Sequence, residues 1–97
     1  MVNRIAICDD VEVERFVLKR QLMVYFQTNG REAQIQEYES GESLLADIEE
    51  GYIWPDLIFL DIYMGDLNGM DTARKLRDLG VKAPIVFLTC LLYTSDA

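Results

Sequence analysis

The sequence predicts an α/β protein built on a doubly wound parallel sheet of strand order 2-1-3-4 that stops after its fourth strand. Three observations predict it. Ile5–Cys8, Leu57–Leu60 and Ile85–Leu88 are continuous apolar runs without alternation, which suits strands covered on both faces. Stretches of helical spacing lie between the strands, so the chain reads β-α-β-α-β-α-β with short connections, implying right-handed crossovers. Each apolar run also stops abruptly on polar residues: Asp9-Asp10, Asp61 and Thr89. In open α/β sheets ligands bind just beyond the carboxyl ends of the strands, so these are the places to look for chemistry.

From Val11 to about Thr28 the pattern is helical, with Val11, Leu18, Leu22 and Tyr25 as the expected apolar stripe among Glu12, Glu14, Arg15 and Lys19. Asn29-Gly30 ends that helix with residues that tolerate a left-handed backbone. Ala33 to Tyr38 alternates loosely and reads as a half-exposed edge strand. Ser40 is the expected N-cap of a short helix carrying Leu44, Leu45 and Ile48, closed by Gly51. Trp54-Pro55 introduces the central strand, because proline is tolerated at a strand's first positions but not within it. Asn68, with Asp71 three residues later, predicts the cap of a third helix whose stripe is Met70, Ala73, Leu76 and Leu79, ending at Gly80. Ala83-Pro84 then leads into the fourth strand.

The 97 residues, 51% hydrophobic and 27% charged, fit one small domain. Nine basic against seventeen acidic residues give a formal charge of −8, which argues against this segment gripping nucleic acid. The absence of histidine removes Cys/His zinc sites and imidazole acid-base chemistry. Cys8 and Cys90 form no framework and read as buried or incidental thiols of a reducing compartment. With no signal-peptide pattern and no apolar run long enough to cross a bilayer, the chain is expected to be soluble and cytoplasmic.

Strands 1 and 3 are neighbours in this topology, so Asp9 or Asp10 and Asp61 are expected to converge. Like charges that close either raise a pKa or recruit a cation. With only oxygen ligands available, the fitting ion is Mg²⁺ or Mn²⁺, which favours one or two carboxylates together with phosphate oxygens. A carboxylate also attacks phosphorus directly. The scheme makes Asp61 the nucleophile, with Asp9 and Asp10 orienting or binding the metal. The Tyr63 main-chain carbonyl completes the metal shell and the Thr89 hydroxyl meets a phosphoryl oxygen. Each residue alone has a blander reading, such as a helix cap for Asp9-Asp10 or a strand end for Thr89. Acid, acid and hydroxyl at three strand ends in this order is the combination that carries the argument.

Ile5-Ala6-Ile7-Cys8-Asp9-Asp10, Pro55 to Met64 followed by Asn68-Gly69, and Ala83 to Thr89 together resemble the receiver domain of two-component response regulators. The wording is most similar to receivers joined to LytTR-type DNA-binding domains. The resemblance covers residues 3–89 and implies a flavodoxin-like fold. It further implies that Asp61 accepts a phosphoryl group from a sensor histidine kinase. By the same resemblance Asp9, Asp10, Asp61 and the Tyr63 carbonyl hold Mg²⁺, Thr89 is the switch hydroxyl, and a DNA-binding output domain belongs to the full-length protein. Two departures stand out. Gly65 occupies the position where receivers usually carry proline. The family's phosphate-pairing lysine, at the end of a fifth strand, has no counterpart among Lys19, Lys75 and Lys82. Residues 90–97 resemble the translation of a sequencing adapter, so the domain is expected to be cut short there, with a non-native tail. An aspartyl-phosphate-type phosphatase is the alternative, although Tyr63 stands where such enzymes place a general acid. A receiver-like module that binds partners without phosphorylation is the other.

Overall fold

The computed structural model describes residues 2–88. Four strands, β1 (Val2–Cys8), β2 (Glu32–Tyr38), β3 (Leu57–Asp61) and β4 (Ile85–Leu88), form one all-parallel sheet in the order β2-β1-β3-β4. The helices α1 (Glu12–Thr28), α2 (Gly41–Glu49) and α3 (Gly69–Asp78) make the crossovers. Class, strand order and the edge position of β2 agree with the sequence reading. β1 begins earlier than its apolar run, because Asn3 and Arg4 pair with Ala33 and Gln34 across the sheet. Among the described residues no helix is long and apolar enough to cross a membrane.

The two faces of the sheet bury separate cores, as the period-2 geometry of strands requires. Ala6, Cys8, Ile58 and Leu60 face α2 and α3, where Leu44, Leu45, Ile48 and Leu76 cover them. Ile5 and Ile7 face α1 and pack with Phe26, Leu18, Leu22, Ala33, Ile35, Leu57 and Phe59. Ser40 caps α2 by accepting a hydrogen bond from the Ser43 N–H at 3.1 Å. Asn68 caps α3 in the same way, through the Asp71 N–H at 2.9 Å.

Two expected stripes are corrected. On α1 the inward residues are Leu18, Leu22 and Phe26, a strict i, i+4, i+8 row, whereas Val11 and Tyr25 are exposed. Residues 25 and 26 are both aromatic, and three-dimensional packing, not periodicity, selects between them. On α3, Met70 is 50% exposed and Leu79 lies outward, while Thr72 is fully buried. A polar residue tolerates that burial because its hydroxyl donates to the Asn68 carbonyl at 2.9 Å.

This assignment is tested by urea denaturation. Phe26→Ala should cost about 3 kcal/mol through loss of buried area and a residual cavity. Tyr25→Ala, which loses only an edge-on ring contact with Phe26, should cost about 1 kcal/mol or less. Equal costs would restore the stripe read from sequence.

Candidate functional site

Parallel pairing places Cys8 beside Leu60, so Asp9, just after β1, and Asp61, the last residue of β3, emerge at the same end of the sheet. Asp9, Asp10 and Asp61 meet there, each with a carboxylate oxygen within 4.8 Å of the others. Asp9 and Asp61 are buried and Asp10 is exposed.

Asp9 is fixed at three atoms. Its N–H donates to the Tyr38 carbonyl at 3.0 Å, and its Oδ1 accepts from the Val11 N–H at 2.9 Å. Its own carbonyl accepts from Arg15 Nη1 at 2.7 Å. The blander reading of Asp9 as a helix-start residue therefore holds for one oxygen, since Val11 is the N-cap and its side chain makes no capping bond. Asp61 Oδ1 accepts from the Tyr63 N–H at 3.1 Å. Tyr63 is exposed, and Met64 is buried and accepts a contact from the Cys8 thiol at 3.6 Å.

The backbone of Asp61 is boxed in by the start of α3. The Gly69 N–H donates to the Ile62 carbonyl at 2.9 Å. A Cβ at position 69 would collide with the Asp61 carbonyl oxygen and lie 2.8 Å from Ile62 Cα. Glycine is demanded here by close backbone approach, not by a left-handed turn.

The electrostatics follow from this crowding. Burial raises the Asp61 carboxyl to about 6, the Asp9 and Asp10 charges add to the rise, and the Tyr63 N–H opposes it. Partial desolvation, the Asp9 charge and a hydrogen bond with Asp9 also raise Glu14, one turn into α1. Burial pushes the Cys8 thiol up to about 12, with Asp9 and Asp61 contributing, so it is an inert neutral thiol at physiological pH.

The structure thus brings together Asp9, Asp10 and Asp61 and sets Tyr63 beside them. Thr89 lies outside the described residues, as do Cys90 and the tail. Leu88, immediately before Thr89, pairs with Asp61, and its carbonyl accepts from the Ile62 N–H at 3.1 Å. Sequence reasoning missed the parts played by Arg15, Glu14 and Gly69. The available signal was position: Arg15 and Glu14 lie in the first turn of the helix that follows the acid pair.

A parallel sheet of order 2-1-3-4 with three carboxylates at the carboxyl ends of its central strands defines a flavodoxin-like domain with an acidic pocket at the switch point. The family profile of the response regulator receiver domain matches residues 5–96, and the chain belongs to that family, a class of two-component signalling domain. It is 27% identical over 88 residues to the transcriptional regulatory protein YdfI of Bacillus subtilis (strain 168), covering 91% of this chain and 38% of that protein. It is 28% identical over 83 residues to the two-component response regulator ORR41 of Oryza sativa subsp. japonica, covering 86% of this chain and 62% of that one. Among solved structures, the response regulator TrrA of Thermotoga maritima in complex with Mg(2+)-BeF superposes with a TM-score of 0.74. The identity is 33%, over 97% of this chain and 76% of that one. The chain spans less than two thirds of either curated relative.

Two predictions follow from the geometry. In chelator, Asp61 favours its protonated form in the folded state, so stability is highest below about pH 4 for this group and is lost as pH rises toward 6. Asp61→Asn should therefore stabilise the metal-free protein at pH 7 by on the order of 1–2 kcal/mol and flatten that pH dependence in urea melts. An Asn variant less stable at pH 7 would contradict this. Gly69→Ala should destabilise by about 2 kcal/mol or more, since backbone must shift, whereas Gly65→Ala, with open space around its Cβ, should fall within about 0.5 kcal/mol.

Proposed function

We propose that this domain takes a phosphoryl group onto Asp61 from the phosphohistidine of a sensor histidine kinase, with Mg²⁺ bound by Asp9, Asp10, Asp61 and the Tyr63 carbonyl. The observation that carries the reading is the convergence of three carboxylates, two of them buried, without a cation side chain hydrogen-bonded to any of their oxygens among the described residues. Like charges held that close favour a hard divalent ion, and an all-oxygen donor set fits magnesium. When bound, the ion neutralises the carboxylates and the incoming phosphoryl oxygens.

An Asp61 oxygen attacks phosphorus, the P–N bond to the kinase imidazole breaks, and the imidazole leaves and takes up a proton. The product is an acyl phosphate on Asp61. The Tyr63 N–H holds the other position of the attacking group by bonding Oδ1, and Asp9 is held by β2 and α1. Thr89 supplies the hydroxyl that meets a phosphoryl oxygen. Turnover as a phosphatase is disfavoured because Tyr63, not a carboxylic acid, stands two residues after Asp61. The longer protein is a cytoplasmic transcription regulator with a DNA-binding output domain in this reading. Residues 3–89 are its receiver portion and 90–97 a tail of adapter origin, which the nucleotide sequence of codons 90–97 decides by matching an adapter or not.

The test is incubation of the 97-residue chain with acetyl phosphate and Mg²⁺, followed by intact mass. A gain of one phosphoryl group is expected, abolished by chelator or by Asp61→Asn and shifted to higher Mg²⁺ concentration by Asp9→Asn, which removes a ligand. Incorporation that survives Asp61→Asn overturns the assignment. Mg²⁺ binding with no incorporation at all favours a phosphorylation-independent binding module.

A further inference from the structure

We infer that Arg15 is a positioning residue for the acidic pocket, setting cation affinity by holding the Asp9 main chain and not by supplying charge; the inference rests on the reading of Asp9 as a metal ligand. The guanidinium spans three elements. Its Nη1 donates to the Asp9 carbonyl at 2.7 Å, while its Nε donates to Glu37 Oε1 on β2 at 3.2 Å. The side chain is only 12% exposed, compared with 71% for Arg74 in its surface pair with Asp71. Glu37 is held from a second side by Lys19 Nζ at 3.4 Å, one turn further along α1.

The planar fork matters here. One edge of the guanidinium meets a carboxylate and another meets a carbonyl, a pair of directions that an ammonium cannot satisfy from the same stem. The Asp9 N–H is already committed to Tyr38 and its Oδ1 to Val11, so the Arg15 bond to its carbonyl closes the last main-chain freedom of the residue. With these three atoms fixed, the Asp9 carboxylate is aimed at Asp61 before any cation arrives. Glu37 meanwhile neutralises Arg15, so its charge weighs little against an incoming ion. Partners of this kind, one step removed from the ligands, typically govern affinity by about 10- to 100-fold.

The two ways in which Arg15 can act differ in sign. Removing a cation near three carboxylates, if charge were the issue, would tighten Mg²⁺ binding. Removing a positioning bond weakens it. Isothermal titration of the full chain with MgCl₂ is compared across wild type, Arg15→Gln and Arg15→Lys, with thermal melts of each in chelator. We expect Mg²⁺ Kd to rise about tenfold in Arg15→Gln and to remain several-fold raised in Arg15→Lys, which keeps the charge but not the fork. The acetyl phosphate reaction should need correspondingly more Mg²⁺ but reach a near wild-type rate at saturation. Tighter binding in Arg15→Gln, full recovery in Arg15→Lys, or a lowered melting temperature with unchanged Kd each overturns the inference. A wild-type chain that binds no Mg²⁺ overturns the reading of the metal site itself, and is distinguishable from all three. Should Arg15→Gln fail to fold, Arg15→Lys carries the test: it keeps the charge and loses the fork, so a raised Kd supports the inference and a wild-type Kd contradicts it.

Discussion

The mutual repulsion of Asp9, Asp10 and Asp61 is the constraint around which the rest of the molecule is arranged. Three carboxylates with oxygens within 4.8 Å of one another, two of them buried, oppose folding in the absence of a cation. The fold tolerates this because the strands that carry them are anchored elsewhere. Ile5, Ile7, Ile58 and Leu60 are fully buried on the two faces of the sheet immediately before the acids. Burial of such side chains contributes roughly 2 kcal/mol each, enough for the sheet to hold charges at its end that would otherwise separate.

The two buried acids are held by different neighbours, so the pocket is a junction of elements and not a property of one loop. Asp9 is tied to β2 through the Tyr38 carbonyl, to the start of α1 through Val11, and to the body of α1 through Arg15. Asp61 is tied to its own loop through Tyr63 and pressed by α3 at Gly69. The starts of two helices therefore bear on the buried acids. At α1 the Val11 N–H bonds Asp9 Oδ1, and at α3 Gly69 lets the helix start lie against the Asp61 main chain. A change at Arg15 or Gly69 acts on the main chain of Asp9 or Asp61 without touching either carboxylate.

Much of this was legible in the sequence, for a physical reason. Doubly covered strands leave unbroken apolar runs, and acid, acid and hydroxyl ending three such runs in order outweigh the blander reading that each has alone. The meeting of Asp9, Asp10 and Asp61 follows from that pattern together with the doubly wound strand order, the edge position of β2 from its alternation, and the caps at Ser40 and Asn68 from their residue types. What failed was the outer members of two helix stripes: Leu18, Leu22, Ala73 and Leu76 face the core as expected, whereas Val11, Tyr25, Met70 and Leu79 do not. α1 carries Val13, Phe16, Val17, Met23, Val24 and Tyr25 on its exposed surface, so apolar residues occur all round it and several stripes fit equally well. On α3 Thr72 is buried beside the expected Leu76, and no hydrophobic pattern selects it, because its hydroxyl is satisfied inside its own helix. Arg15 and Gly69 were illegible for a related reason: their roles depend on main-chain atoms of residues distant in sequence or across a turn, and periodicity says nothing about those.

The central claim, that the acids are held together against their own repulsion for a cation, is tested most directly by a double-mutant cycle on stability. Wild type, Asp9→Asn, Asp61→Asn and the double variant are melted at pH 7.5 in chelator and again in excess Mg²⁺. In chelator the two substitutions should be strongly non-additive, each relieving the same repulsion, with a coupling on the order of 1 kcal/mol. In Mg²⁺ the sign should reverse, with wild type the most stabilised of the four. Additive effects that Mg²⁺ leaves unchanged would contradict the account.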